Sequence, residues 1–216
     1  MTQQKTYLVF GATGQTGQHF TALALKQGHK VRAVARNPTK LAMTHPDLDV
    51  RQGTVPGVAN LDDLLQVVDF VVCMLGDRQM QKQQKVNTAF VRELVPAMRR
   101  AGVSRLLYQA GGLSKPPGRQ LPPLFRVIRN TVARSYIGQH EDNEAVMEYL
   151  TQEAGDLEWM VHRAGIGSNG SSKGVLERSS TSASIGTFQD VAAYNLATVA
   201  DPSAIHTCDL SSYRKR

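Results

Sequence analysis

The sequence predicts an α/β fold: one domain over residues 1–216, built on a single doubly wound parallel sheet with a small C-terminal extension. Three observations carry the prediction. Short apolar runs rich in β-branched residues alternate with helical patterns along most of the 216 residues. The first run, TYLVF (6–10), is almost wholly apolar, as in a strand buried on both faces. It then enters a helical pattern through glycines at 11, 14 and 17. Crossovers between parallel strands are right-handed, which leaves the doubly wound sheet as the leading topology.

Each element has its own warrant. TGQHFTALALKQG (16–28) places Phe20, Leu23 and Ala24 at helical spacing and ends on Gly28, a helix stop. KVRAVAR (30–36) and LDVRQGTV (48–55) read as the second and third strands. NLDDLLQVV (60–68) reads as a helix, with Asn60 as N-cap and Asp63 favouring its amino end. FVVCML (70–75) is the fourth strand, and KVNTAFVRELVPAMRRAG the helix after it, with Pro96 as a kinking residue inside. SRLLYQAG (104–111) is the fifth strand, 125–155 is mostly helical, and LEWMVHRAG (157–165) is the sixth strand. A helix over 188–201 and a strand over 204–210 close the chain. Two stretches break the rhythm: 111–123, with four of the nine prolines, and the Gly/Ser-rich start of 165–187. No repeat and no interdomain linker is visible.

Composition narrows the setting. Hydrophobic residues at 41% suffice for a core, and no apolar run approaches the roughly 20 residues of a bilayer span. Without a targeting signal, and with Cys73 and Cys208 lacking any repeated spacing, the expectation is a cytoplasmic chain with reduced thiols and no membrane association. The net charge of +7 comes from scattered residues, apart from Arg99-Arg100 and YRKR (213–216), and no aromatics interleave with them. That pattern argues against nucleic acid as a partner. Two side chains on one face, His140 and Glu144, do not make a metal site, and His162, in a strand, reads as a core histidine.

The glycines have a physical explanation. A helix amino terminus exposes unpaired N–H groups and partial positive charge, and so attracts phosphate. Gly11 makes the turn, Gly14 lets a pyrophosphate approach the backbone, and Gly17 lets the helix pack on the strand. Thr13 and Thr16 add hydroxyls. Dinucleotide sites that prefer NAD place an acid about 20 residues on, at the ribose 2′-hydroxyl. Here the second strand ends Arg36-Asn37-Pro38-Thr39-Lys40, without an acid. A guanidinium at Arg36, helped by Lys40, suits a 2′-phosphate, so the expected cofactor is NADP(H).

VFGATGQTG, VRAVARNPTK, VRQGTV and VNTAFVRELVPAMRRAGVSRLLYQAGG together resemble the atypical short-chain dehydrogenase/reductases. The closest pattern is that of the NmrA-like and biliverdin-IXβ/flavin reductase-like proteins, Rossmann-fold binders of NADP(H). The resemblance implies that Gly11, Thr13, Gly14, Gln15, Thr16 and Gly17 hold the pyrophosphate and Arg36 and Lys40 the 2′-phosphate. It implies Gly53 and Thr54 beside the adenine, and Met74, Leu75 and Gly76 along the ribose and nicotinamide. Gln109, Ala110 and Gly111 then stand where nicotinamide meets substrate. Reducing relatives commonly carry Ser or Thr at the position of Ala110, and alanine has no donor. The wider superfamily uses a Tyr and, four residues on, a Lys; Tyr136 and His140 have that spacing and are the catalytic candidates.

Two functions follow as expectations. One is an NADPH-dependent oxidoreductase passing hydride to a planar acceptor: a flavin, quinone or linear tetrapyrrole. The other is a non-catalytic NADP(H)-binding sensor acting through a protein partner, which Ala110 favours.

Overall fold

The computed structural model describes residues 3–77, 79–165 and 167–214. Ile166 of the irregular 165–187 segment and the last two residues of the basic tail thus lie outside the described residues. Eight strands form one sheet in the order β3-β2-β1-β4-β5-β6-β8-β7. They are β1 (Thr6–Phe10), β2 (Lys30–Ala35), β3 (Leu48–Gln52), β4 (Phe70–Cys73), β5 (Arg105–Gly111), β6 (Glu158–Ala164), β7 (Leu176–Ser179) and β8 (Cys208–Tyr213). Every pairing is parallel except that of β7 with β8. The chain leaves β1 for β2 and β3, then returns to place β4 on the other side of β1. That reversal opens a crevice beyond the carboxyl ends of β1 and β4.

Why β1 is apolar throughout is now plain. Leu8 and Phe10 point into the core beneath α3 (Val86–Ala101) and α5 (Ile137–Glu153). Tyr7 and Val9 point into the opposite core beneath α1 (Gln15–Lys26) and α6 (Phe188–Val199). A strand buried on both faces has no polar side to show. Phe10 meets Phe90 of α3 at 4.6 Å between ring centroids, and Tyr7 meets Phe20 of α1 at 5.7 Å and Phe70 of β4 at 5.2 Å, so aromatic contacts key both cores. Gly28, at φ +80°, ends α1 as expected. Among the described residues no helix is long and apolar enough to cross a membrane.

Four expectations change. The helix expected over 60–68 is one turn, α2 (Leu61–Leu64). Asn60 sits in the left-handed region at φ 59° and its side chain makes no capping bond. Val67, also left-handed at φ 58°, turns the chain back toward β4, which leaves no room for a second turn of helix. The segment 125–155 is broken into α4 (Pro123–Asn130), a 3-10 turn (Arg134–Tyr136) and α5. The closing strand runs Cys208–Tyr213, later than expected. Its partner β7 lies inside the stretch read as irregular and makes the sheet edge antiparallel. β7 buries only Leu176 fully, too little to produce an alternating pattern.

His162 is the core histidine expected in β6. Asn195 Nδ2 donates to Gln109, so Asn195 Oδ1 accepts from His162 Nδ1 at 2.6 Å. His162 Nε2 then accepts from Ser211 Oγ at 2.8 Å. Burial pushes its pKa down to about 4. An unfolded histidine titrates near 6.5, so the unfolded chain takes up this proton first as pH falls. The stabilisation is complete above about pH 6.5 and is lost between there and pH 4, roughly 3 kcal/mol in all. Urea unfolding across this range should show His162→Gln with a shallower pH slope than the parent; identical slopes would contradict the buried neutral ring.

Candidate functional site

The turn from β1 into α1 is made of close backbone approaches. Gly11 has φ +89°, and a Cβ there would stand 2.3 Å from the Met74 carbonyl oxygen at the end of β4. At Gly17 a Cβ would stand 2.1 Å from the Gly11 oxygen, so α1 rests directly on the turn. Gly14 differs: one atom, the Gly11 oxygen, lies within 4 Å of a Cβ, at 3.3 Å. Gly14 caps α1 in extended conformation; no side chain bonds the helix's first amides and no acid stands in its first turn. Those amides remain orphan donors. They border a cavity of about 300 Å³ lined by Gly14, Gln15, Thr16, Gly17, Met74, Leu75, Gly76, Gln109, Ala110, Gly111, Gln139, Asn143, Ala164, Gly165 and Phe188. Bare amides, no acid and room at Gly14 fit a diphosphate. Thr13 stands beside the turn, where its carbonyl takes a bond from Gln18 at 3.0 Å. A cavity of about 390 Å³ elsewhere, lined by Pro116, Trp159 and Asp209 among others, is larger but has no glycine turn and shares no residue with this one.

At the carboxyl end of β2, Arg36 follows the strand and forms an ion pair with Asp77 at 3.2 Å. Asp77 is fixed in turn, since its Oδ1 accepts from Met80 N and its own N–H donates to Gln81 Oε1, both at 3.1 Å. Gly53 N donates to Ala35 O at 3.0 Å, and a Cβ at Gly53 would lie 2.8 Å from Val34 Cγ1. Gly53 therefore lies against the end of β2, next to Arg36, with Thr54 following it. Lys40 ends a short 3-10 turn (Pro38–Lys40) that Asn37 caps. These four, with Thr13 and Gly11, are outside the lining of the inner cavity. Asp77 escaped the sequence reading because it follows β4, whereas an acid was looked for only after β2.

The inner end belongs to α5. Gln139 and Asn143, four residues apart, both face the cavity. A Cβ on Gly76 would meet Gln139 Nε2 at 3.1 Å. Behind Asn143 runs a buried chain of hydrogen bonds: Asn87 Nδ2 to Tyr108 Oη at 2.8 Å, then Tyr108 Oη–H to Asn143 Oδ1 at 2.6 Å. Fully buried Asp142 accepts from the backbone amides of Asn87 and Thr88, both at 2.9 Å, from Thr88 Oγ1 at 2.7 Å and from Gln81 at 2.8 Å. It satisfies the amino end of α3 and complements its dipole.

Tyr136 and His140 stand differently from expectation. Tyr136 ends the 3-10 turn ahead of α5, is 40% exposed, and does not line the cavity. His140 is buried behind Gly111, with Nδ1 3.5 Å from Ser114 Oγ. Burial first, then the Arg129 guanidinium, push its pKa down to about 4, so it is neutral at pH 7 and lacks the cation of a superfamily lysine. Tyr136 and His140 thus lie outside the cavity lining, whereas Gln139 and Asn143, with the same four-residue spacing, belong to it. Spacing alone does not choose between the two pairs. Among the described residues no three His, Cys, Asp or Glu side chains are grouped to hold a metal ion.

Comparison with known proteins gives a consistent picture. A family model described as NAD(P)H-binding matches residues 11–202. A curated 3β-hydroxysteroid dehydrogenase/Δ5→4-isomerase of Mycobacterium tuberculosis is 31% identical over 112 residues, 47% of this chain. The match spans only about 30% of that relative's length. Among solved structures, the Lactococcus lactis oxidoreductase ylbE superposes with a TM-score of 0.76 at 17% identity, covering 97% of this chain and 91% of that one. ChuY, an anaerobilin reductase of Escherichia coli O157:H7, gives 0.76 at 18% identity and 96% of each chain. At these identities the likeness is one of fold.

Proposed function

Since the chain belongs to the NAD(P)H-binding family, we propose that it is an NADPH-dependent oxidoreductase acting on a planar acceptor: a flavin, quinone or linear tetrapyrrole. The observation that carries the proposal is the pairing, in one cavity, of bare α1 amides at Gly14 with the carboxyl end of β5 at Gln109–Gly111. The bound dinucleotide supplies the hydride. The α1 amides and Thr16 hold the diphosphate, Arg36 and Lys40 hold the 2′-phosphate, and Gly53 and Thr54 border the adenine. Gln139 and Asn143 orient the acceptor beyond Gly111. Similarity to an anaerobilin reductase supports a tetrapyrrole among the candidates. A cytoplasmic setting agrees with Cys73 and Cys208, both free; burial pushes the Cys208 thiol up to about 12, which leaves it unreactive.

The test is purified protein titrated with NADPH and NADH by cofactor fluorescence, followed by turnover with FMN, menadione, biliverdin and simple ketones. NADPH consumption with one of the first three is the expected result. One observation favours the second reading, a dinucleotide-occupancy sensor with a protein partner: among the described residues no side chain lining the cavity is titratable. NADPH binding without consumption across the panel would select it.

Asp77 gives a sharper test of the cofactor. Its carboxylate holds Arg36 and lies where a 2′-phosphate would be repelled. Asp77→Asn is expected to tighten NADPH about fivefold, on the order of 1 kcal/mol for a partly exposed pair, with NADH unchanged or weaker. Tighter NADH with unchanged NADPH would remove Arg36 from the 2′-phosphate.

A further inference from the structure

We propose that the Asn143 side-chain amide donates to the acceptor's oxygen and thereby selects conjugated carbonyls, quinones and flavins, whose reduced forms are delocalised oxyanions. The inference rests on the reductase reading above and narrows it.

An amide can present its oxygen or its nitrogen, and here the buried neighbours decide which. Asn87 Nδ2 donates to the Tyr108 oxygen at 2.8 Å, so the Tyr108 proton is free to point onward. It points to Asn143 Oδ1 at 2.6 Å. The oxygen of Asn143 is therefore engaged from behind. Its Nδ2 lies near Gly111, 3.8 Å from where a Cβ on that residue would stand. Gly111 and Asn143 both line the cavity. Nδ2 carries two hydrogens, and Ser114 Oγ takes only a long contact at 3.4 Å. The base of the chain is held as well, because the backbone N–H of Asn87 is bonded to buried Asp142 at 2.9 Å. A donor locked in this way needs no reorganisation when negative charge develops beside it.

The chemistry of the donor sets the substrate class. An amide N–H steadies an oxyanion but cannot give up its proton, and among the described residues no side chain lining the cavity is titratable. Reduction of a simple ketone leaves a localised alkoxide that needs an acid at once. A quinone or flavin gains a hydride, one proton with two electrons, from the reduced nicotinamide, which is left oxidised. The charge then spreads over the ring system, and water supplies the proton. Asn143 thus replaces in function, from α5, the hydroxyl missing at Ala110 on β5.

The test uses the full chain and two variants. Asn143→Asp keeps the acceptor for Tyr108 and the side-chain volume but turns the donor into an anion. Asn143→Ser retains a donor and serves should the first variant melt early. Three quantities are measured: NADPH affinity by its fluorescence, affinity of the NADP⁺-loaded protein for 4-nitrophenolate against neutral 4-nitroanisole at pH 8, and menadione turnover. For Asn143→Asp the expected results are NADPH affinity within about twofold, preference for the phenolate lost, and turnover down about 100-fold, the size of one lost oxyanion donor. Asn143→Ser should retain part of both the preference and the turnover. NADPH affinity falling in step with phenolate affinity would make Asn143 a cofactor contact and overturn the inference. An unchanged phenolate preference would overturn it while leaving the reductase reading intact. A parent protein that binds NADPH yet reduces none of the acceptors would end both.

Discussion

Arg36→Glu is expected to weaken NADPH binding about 100-fold or more while NADH changes by less than about threefold. A guanidinium paired with a phosphate contributes roughly 1.5–3 kcal/mol, and a carboxylate in its place adds repulsion. The ion pair with Asp77, with Arg36 60% exposed, holds the guanidinium without consuming it, since a planar fork can serve a second anion. The substitution also sets two carboxylates side by side, which deepens the loss for any phosphorylated ribose. NADH, with a hydroxyl there, is largely indifferent. Fluorescence titration of both reduced dinucleotides decides the matter; equal losses would remove Arg36 from the 2′-phosphate contact.

Alanine at Gly17 and alanine at Gly14 should fail in different ways. At Gly17 the new Cβ would stand 2.1 Å from the Gly11 oxygen and 2.8 Å from the Ala12 Cα, both backbone atoms that no rotamer change can move aside. Helix α1 must lift off β1, at a cost of about 3 kcal/mol. For a chain of this size that lowers the melting temperature by roughly 6–12 °C, and dinucleotide binding goes with it. At Gly14 the only crowding is the Gly11 oxygen at 3.3 Å. Gly14→Ala should melt within about 2 °C of the parent, yet lose dinucleotide affinity by roughly 10- to 100-fold, because the methyl stands in front of the bare amides. Thermal melts beside the same titration separate the two. A Gly14→Ala protein with parental affinity would move the diphosphate away from this turn.

Much of the architecture was legible residue by residue. Strands β1, β4, β5 and β6 are mostly apolar runs buried on both faces, which leaves little room for another pattern. Legibility failed where the signal was short. Asn60 has the identity of an N-cap, yet its backbone is left-handed and its side chain makes no capping bond. β7 offers one fully buried leucine in four residues. At the site, the glycines and the ends of β4 and β5 were readable because each is tied to a strand end. The partners supplied from elsewhere were not. Asp77 reaches Arg36 from the loop after β4, and Gln139 and Asn143 come from a helix whose rotation no local pattern specifies.

By itself, the sequence determined the doubly wound sheet and the phosphate-ready turn, because strand burial and glycine's backbone freedom are local properties that neighbouring residues declare. Only the tertiary structure decided which side of α5 looks into the cavity. A Cβ on Gly138 would strike the Gln81 carbonyl oxygen at 2.3 Å, so the start of α5 is seated hard against the 79–82 segment. Asp142, bonded to Gln81 and to the amino end of α3, fixes the rotation. Those contacts join residues more than fifty positions apart, and they turn Gln139 and Asn143 inward while Tyr136 stays outside the cavity lining.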